Sequence, residues 1–292
     1  MTLERFMPLA FVGIWSTGFI AARLVAPWTD PLTFLSYRFL LSALVFVLIA
    51  QAVGASWPRG RAAWTRALVV GILLQGCYLG GVFWAVNRGL PAGVAALVVG
   101  LQPLATTLFA GSMLHERPDA RQWLGVWVGL VGTLMVLLPG LKTEVGEIDP
   151  MPLVAVLIAM LSITLGTIWQ KRTGPGADLR TNAAIQFIGA FVVTLPLALA
   201  TEDMRFESSW QAWTGLLWSV LGLSVGAISL LLVMIRRGSV SSVASLFYLV
   251  PPVVALLSWL LFDETLGALQ VGGMLLAACG VGLVNRRTSL PR

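Results

Sequence analysis

Charge is scarce in this sequence, and the scarcity excludes most classes of protein before any motif is considered. Only 11% of the 292 residues are Asp, Glu, Lys or Arg, which is under half of the roughly 25% usual for a soluble domain. Because 58% of the residues are hydrophobic, the chain is also unlike disordered proteins, which are poor in apolar residues. Two cysteines and one histidine are too few for a disulfide scaffold or for a zinc site built from histidines. The composition therefore indicates an integral membrane protein that is helical almost throughout.

Ten apolar stretches follow one another with mostly short loops between them, and each is near the length that a ~30 Å hydrocarbon layer requires. A β-barrel would show short alternating segments instead, so the sequence predicts an all-α integral membrane protein. The ten predicted transmembrane helices are Pro8–Val25, Leu32–Val53, Trp64–Ala85, Ala92–Leu114, Trp123–Leu138, Pro152–Trp169, Asn182–Ala200, Trp213–Ile235, Val240–Phe262 and Leu266–Val284. We interpret the first as a membrane helix rather than a cleaved signal peptide, because the internal repeat requires it.

The basic residues are distributed unevenly between the two sides that ten spans define. If both termini are cytoplasmic, fourteen of the 19 Lys and Arg residues lie on the inside, four lie outside, and Arg38 lies within a helix. This is the positive-inside pattern, and most of the acidic residues lie on the opposite side. We therefore expect a multi-pass protein of the bacterial inner membrane with both termini cytoplasmic. Topology explains the basic balance, so no nucleic-acid partner is predicted.

The two halves of the chain share a motif. Residues 88–97 and 237–246 both read Arg-Gly-x-x-x-x-Val-Ala-x-Leu, and at the same offset Pro103 aligns with Pro252. Glu116 aligns with Glu264 at an offset that is one residue shorter. We therefore predict two repeats, 1–140 with helices one to five and 150–292 with helices six to ten. Because five is odd, the second repeat is inverted, an architecture of many secondary transporters, in which alternating access moves a solute past a site between the repeats.

This plan, with the repeated motif, the mid-helix prolines and a Glu after the fourth and ninth helices, resembles the drug/metabolite transporter superfamily, EamA type. The resemblance covers essentially the whole chain. Within the superfamily, length and aromatic richness are most similar to the bacterial YddG-type exporters of aromatic and neutral amino acids. The resemblance therefore implies export of neutral or aromatic amino acids and similar small metabolites. A carrier of another metabolite or drug stays open as an alternative.

Polar residues inside the predicted helices are candidates for the lining of a solute cavity, because polar groups in lipid are costly and usually face the bundle interior. Amides, hydroxyls and indoles suit a neutral or zwitterionic solute with an apolar side chain. The alternative is ordinary interhelical hydrogen bonding, worth about 0.6 kcal/mol each. Arg38 can hold a solute carboxylate or extend outward to the membrane surface. The predicted binding residues are Trp15, Ser16, Tyr37, Arg38, Gln75, Tyr78, Gln102, Trp169, Gln186, Ser245 and Tyr248.

Five further residues are candidates for hinges or gates. Pro103, Pro251 and Pro252 each remove a backbone hydrogen bond in the middle of a helix, so each is either a hinge or a static kink. Arg88 and Arg237 occupy equivalent positions before the fourth and ninth helices, where they serve as gates or as interfacial anchors.

Several absences narrow the mechanism. No Asp or Glu lies inside any predicted span, which disfavours organic cations as substrates and a buried carboxylate relay for protons. His115 and Glu116 at the end of the fourth helix are still able to titrate. No Walker A motif occurs, and we expect no metal and no other cofactor. We expect a small-molecule substrate and membrane lipids as partners, and a monomer or weak homodimer. An intramembrane enzyme or lipid-handling scaffold is the alternative of another class, but no clustered catalytic set is found, so an enzyme is not predicted.

Overall fold

The computed structural model describes residues 2–90, 92–116, 118–144, 150–174, 176–262 and 266–285. Ten helices in this part of the chain are long and apolar enough to span a membrane, as the sequence predicts. The described residues form no strand, and their one β-bridge joins Thr29 to Phe206. Glu264, the predicted counterpart of Glu116, lies outside the described residues.

The helices are numbered in chain order. They are α1 Thr2–Val25, α2 Pro31–Ala52, α3 Arg61–Asn87, α4 Ala92–Val99 with Gln102–Leu114, α5 Ala120–Glu144, α6 Pro150–Thr173, α7 Leu179–Thr201, α8 Trp210–Arg237, α9 Val240–Ser245 with Leu246–Leu249 and Val250–Phe262, and α10 Ala268–Asn285.

Helices in corresponding positions of the two halves are irregular at corresponding points. A π-helical segment interrupts α3 at Ile72–Cys77, and another interrupts α8 at Ser219–Ile228. The helix α4 breaks between Val99 and Gln102, whereas α9 narrows to a 3-10 turn at Leu246–Leu249. An offset of 149 residues maps both first-half irregularities onto those of the second half. Helices three and eight, which match only weakly in sequence, therefore share an irregularity at the positions that the predicted repeat would relate.

Proline accounts for the irregularity of α9. Pro252 has no N–H, so the carbonyl of Tyr248 one turn earlier receives no helical hydrogen bond. The Thr133 hydroxyl of α5 donates to that carbonyl instead, at 3.4 Å. The kink is thus held by a neighbouring helix, which is how prolines are tolerated inside membrane helices.

Glycine permits close backbone contact between α5 and α10. A Cβ atom on Gly132 would lie 2.7 Å from the Gly273 carbonyl oxygen, and one on Gly125 would lie 2.7 Å from the Gly280 carbonyl oxygen. Small residues allow such backbone contact, which supplies van der Waals packing between membrane helices. The small-residue faces of α5 and α10 therefore pack on each other within one chain.

The ten spans define two ends of the bundle. The Arg236 end carries the loops α2–α3, α4–α5, α6–α7 and α8–α9, and the Glu202 end carries the remaining loops. At the Glu202 end, the Glu202 carboxylate accepts hydrogen bonds from the backbone N–H groups of Leu32 and Thr33, at 2.8 Å each. This carboxylate satisfies free donors at the start of α2 and ties the α7–α8 loop to that helix.

Candidate solute-binding site

The helices α1, α3, α6 and α9 meet at an aromatic cluster in the middle of the bundle. Trp15 and Phe247 stack edge to face, with ring centroids 5.2 Å apart and planes at 85°. Both rings also pack against a group of buried side chains on α3 and α6 that includes Tyr78 and Ile163. Trp169 packs against the same group. The structure therefore brings together three predicted binding residues, Trp15, Tyr78 and Trp169, with Phe247, which the sequence did not single out.

Many of the predicted binding residues carry buried polar atoms that have no hydrogen-bond partner within the described part of the protein. Leaving such an atom unpaired costs about 1–3 kcal/mol, and buried polar groups are normally paired. A binding site for a polar solute has to offer such atoms, because the bound solute then supplies their missing partners. The atoms are Ser16 Oγ, Gln75 Oε1, Gln102 Oε1, Trp169 Nε1, Gln186 Oε1 and Tyr248 OH.

Arg38 lies inside the bundle, with only 6% of its surface exposed. Its Nε donates to the Ser224 hydroxyl at 3.2 Å, and that hydroxyl donates to the Ser219 carbonyl at 3.0 Å. Both serines belong to the π-helical segment of α8. Among the described residues no carboxylate forms an ion pair with Arg38. The guanidinium is therefore a buried positive charge with hydroxyl contacts, able to bind an anionic group.

Two predicted residues of α9 face away from the aromatic cluster. The Tyr248 ring packs on Gly129 of α5, and the Ser245 hydroxyl accepts a hydrogen bond from the Asn285 amide of α10 at 3.0 Å. The 3-10 turn at Leu246–Leu249 changes the register of α9. As a result Phe247, rather than Tyr248, lies on the side of α9 that faces the aromatic cluster. Sequence periodicity alone carries no signal for this change.

Tyr37, Gln102 and Gln186 also lie apart from the cluster. Tyr37 is 39% exposed and its ring packs on Phe206 near the Glu202 end. The Gln102 amide donates to the Thr106 hydroxyl on its own helix at 2.9 Å. The Gln186 amide donates to the side-chain oxygen of Gln170 at 2.9 Å.

The candidate hinges and gates lie at different depths. Pro103 and Pro252 are buried and Pro251 is half-buried, and all three lie in the first turn after the irregular stretches of α4 and α9. Arg88 is exposed, with its guanidinium carbon 5.2 Å from the centroid of the Trp84 ring. Arg237 is exposed at the end of α8.

A network of hydrogen bonds joins four helices at the Arg236 end. The Glu116 carboxylate accepts from the backbone N–H of Val240 at the start of α9, at 3.0 Å. The Lys171 ammonium of α6 donates to the carbonyls of Gly238 at 2.6 Å and Arg236 at 3.3 Å. The Arg236 guanidinium in turn donates to the carbonyl oxygens of the α6–α7 loop. We call this set of contacts the Arg236-end latch.

The helices α4 and α9 pack differently at the two ends. Near the latch, Gln102–Leu114 of α4 lies against Val240–Ser245 of α9. Toward the Glu202 end, Ala92–Val99 packs on α5 and α6 while Val250–Phe262 packs on α1. The two helices thus contact each other at the Arg236 end, whereas at the other end both pack on α5 and their remaining neighbours differ.

The described residues contain no group of three or more His, Cys, Asp or Glu side chains arranged to hold a metal ion. The candidate site therefore consists of the aromatic cluster and neutral polar side chains, while the buried Arg38 guanidinium of α2 lies against α8.

Comparison with known proteins places these features in a family context. The sequence profile described as the EamA-like transporter family matches residues 6–138 and again residues 150–286. The chain is 25% identical to the uncharacterized inner membrane transporter YedA of Escherichia coli (strain K12), over 92% of this chain and 88% of that protein. It is 24% identical to a Salmonella typhimurium protein named "Probable amino-acid metabolite efflux pump", over 98% of this chain and 97% of that protein. A solved structure, titled "Crystal structure of protein", superposes with a TM-score of 0.80 at 19% identity and covers 96% of each chain.

Proposed function

Because the chain belongs to the EamA-like transporter family, a multi-pass transporter family, we propose that it is a secondary carrier that exports neutral or aromatic amino acids and similar small metabolites. We place it in a bacterial inner membrane, as one relative is named, with both termini and the Arg236 end on the cytoplasmic side. The name of the Salmonella relative supports both amino acids as solutes and the outward direction.

One observation carries the choice of solute. The cluster where α1, α3, α6 and α9 meet is aromatic, and the indole nitrogen of Trp169, which packs against it, is a buried neutral donor without a partner among the described residues. An apolar solute side chain fits the rings, while neutral donors and acceptors orient its polar groups. Arg38 supplies the positive charge for a carboxylate. A cationic solute would lack a buried negative partner among the described spans.

The mechanism we propose is alternating access between two inverted repeats, 1–140 and 150–292. The twofold match of the family profile and the corresponding irregularities in α3 and α8 support this division. With α4 and α9 joined at the Arg236 end, this arrangement is closed toward the cytoplasm. If the contacts of the Arg236-end latch break and α4 closes on α9 at the Glu202 end, the protein becomes open toward the cytoplasm and closed on the other side.

The proposal is tested by uptake into proteoliposomes of the purified protein, with a panel of labelled amino acids and with or without a pH gradient. We expect saturable flux of neutral or aromatic amino acids that is unchanged by the gradient, because the spans carry no buried carboxylate for a proton. Flux that follows the gradient would contradict an uncoupled carrier, and Glu116→Gln and His115→Gln would be the next variants. Absence of flux for the whole panel would overturn the choice of solute.

Proline substitutions test the hinges. Pro103→Ala and Pro252→Ala each restore a backbone N–H and are expected to straighten their helices. We expect each to lower the maximal transport rate several-fold while the half-saturating concentration changes less, because a hinge acts on conformational steps rather than on solute contacts. Pro139→Ala, near the end of α5, is the control and should keep the wild-type rate. If both hinge variants transport at the wild-type rate, the two prolines produce static kinks rather than hinges.

A further inference from the structure

A cavity lies between α3, α6 and α7 at the Arg236 end, next to the buried side chains that the aromatic cluster packs against. Its volume is about 220 Å³, several times the ~30 Å³ that one water molecule occupies in the liquid. Pro58, Ala63 and Arg66 line its mouth, and Val70 lies deeper along α3. The cavity therefore has room for a solute about as large as a small amino acid.

Two buried amides line this cavity. Asn182 on the first turn of α7 is 5% exposed, and its side chain forms no hydrogen bond with the described residues. Gln170 near the end of α6 is 3% exposed and uses its side-chain oxygen to accept the Gln186 amide, at 2.9 Å. The oxygen of Gln186 is itself buried and unpaired. Asn182 and Gln170 therefore present amide groups to the cavity, whereas Gln186 contacts Gln170 and is not part of the lining.

The mouth of the cavity adds a positive charge. The Nε atom of Arg66 donates to the Ala62 carbonyl of its own helix, at 3.1 Å, which leaves the two terminal nitrogens of the guanidinium for other contacts. A solute whose carboxylate lies at the mouth and whose amide lies at the floor would therefore match Arg66 at the mouth and the amides of Asn182 and Gln170 at the floor.

The same cavity touches the latch. Gly174 and Ala177 form part of its wall, and their carbonyl oxygens accept hydrogen bonds from the Arg236 guanidinium. A solute in the cavity would therefore lie next to the loop that the latch holds.

We propose that this cavity is a second solute site, on the Arg236 side of the aromatic cluster, for a zwitterionic amino acid whose side chain carries a neutral hydrogen-bonding group such as a carboxamide. Its carboxylate binds at Arg66 and its side chain reaches Asn182 and Gln170. The proposal rests on the proposed function, because it takes an amino acid as the solute. Because the Arg236 end faces the cytoplasm in the proposed orientation, a solute leaving the cytoplasm occupies this site before it reaches Trp15 and Phe247.

Thiol labelling at the mouth tests the site directly. In the full-length protein with Cys77→Ala and Cys279→Ala, Ala63→Cys places one thiol on the cavity wall, whereas Ala62→Cys places it on the exposed face of the same turn. The rate of modification by a water-soluble methanethiosulfonate is measured in lipid nanodiscs. L-Glutamine is expected to slow labelling of the Ala63→Cys protein about fivefold at about four times its Kd, and to leave the Ala62→Cys protein unchanged.

Three comparisons make the result specific. L-Norleucine, which keeps the zwitterion but lacks the amide, should protect much less than L-glutamine. Adding Asn182→Leu, which fills the cavity, or Asn182→Ala, which only removes the amide, should abolish protection. Adding Trp15→Ala should leave protection intact, because Trp15 belongs to the aromatic cluster.

The proposal is overturned if L-glutamine gives no protection, if norleucine protects equally, or if Trp15→Ala removes the protection while both Asn182 variants retain it. Transport assays separate this outcome from failure of the proposed function. Amino-acid transport without protection would refute the second site alone, whereas protection without any transport would refute the carrier function and leave the site standing.

Discussion

Replacing Gly132 with leucine is expected to lower the free energy of unfolding by about 3 kcal/mol or more. A side chain at Gly132 meets the Gly273 carbonyl oxygen and the backbone of Ala277, and backbone atoms cannot move aside without separating α5 from α10. Separation would also break the contacts of Gly125 and Gly129 along the same pair. The thermal midpoint of the purified protein, followed by the loss of its monodisperse peak in size-exclusion chromatography, measures the effect.

Gly282→Leu is the matched control for this variant. Gly282 lies on α10, in the same helix pair, but no atom lies within 4 Å of a Cβ built on it. Its substitution should leave the midpoint close to that of the wild type. Equal midpoints for the two leucine variants would show that the α5–α10 approach is not needed for stability.

Replacing Arg38 with alanine is expected to raise the half-saturating concentration for amino acids by roughly 30-fold or more, because removing one partner of a buried, hydrogen-bonded charge pair costs about 2–5 kcal/mol. The guanidinium is the one buried cation in the described spans, and no carboxylate among the described residues pairs with it. An amino-acid amide lacks the carboxylate and gains no attraction from Arg38, so Arg38→Ala should not raise its half-saturating concentration. Transport kinetics in proteoliposomes with both solutes give the comparison.

Two further variants separate charge from structure. Arg180→Ala removes an exposed arginine at the start of α7 and should keep wild-type kinetics. Ser224→Ala removes the hydroxyl that accepts from Arg38 but keeps the charge, so its effect should be smaller than that of Arg38→Ala. If Arg38→Ala transports amino acids with unchanged kinetics, Arg38 serves to anchor α2 rather than to bind solute.

The sequence predicts the ten helices because burial in lipid demands apolar runs of one length, a requirement visible in composition alone. It predicts less of the site, because which side of a helix faces inward depends on local irregularities. Helical spacing groups Ser245 with Tyr248, yet the 3-10 turn of α9 gives the inward position to Phe247. The sequence does not single out Gln170 because the sixth predicted helix ends at Trp169, whereas α6 continues to Thr173.

Other features could have been found from the repeat. Ser224 lies 149 residues after Gln75, so the offset that aligns Pro103 with Pro252 also relates the polar residues of the two π-helical segments. By contrast, the contact of Arg38 with Ser224 joins helices from the two halves of the chain, and neither periodicity nor the offset predicts which helices are neighbours. Pairing across the repeats requires the three-dimensional structure.

The two ends of the bundle are fastened by different groups, which has a kinetic consequence. At the Arg236 end, the Glu116 carboxylate accepts from the first N–H of α9, and Lys171 and Arg236 donate to backbone carbonyls. The conformation that is open at this end lacks these contacts, so the two conformations need not be equally stable. A carrier that rests mainly in one shape binds solute from the other face with an apparent affinity reduced by the fraction that is competent. Without a coupled ion, net flux must still vanish at equal concentrations, so the ratio of maximal rate to half-saturating concentration is the same in both directions. The carrier would then work faster but at weaker affinity in one direction, and release of the latch would shift both quantities together.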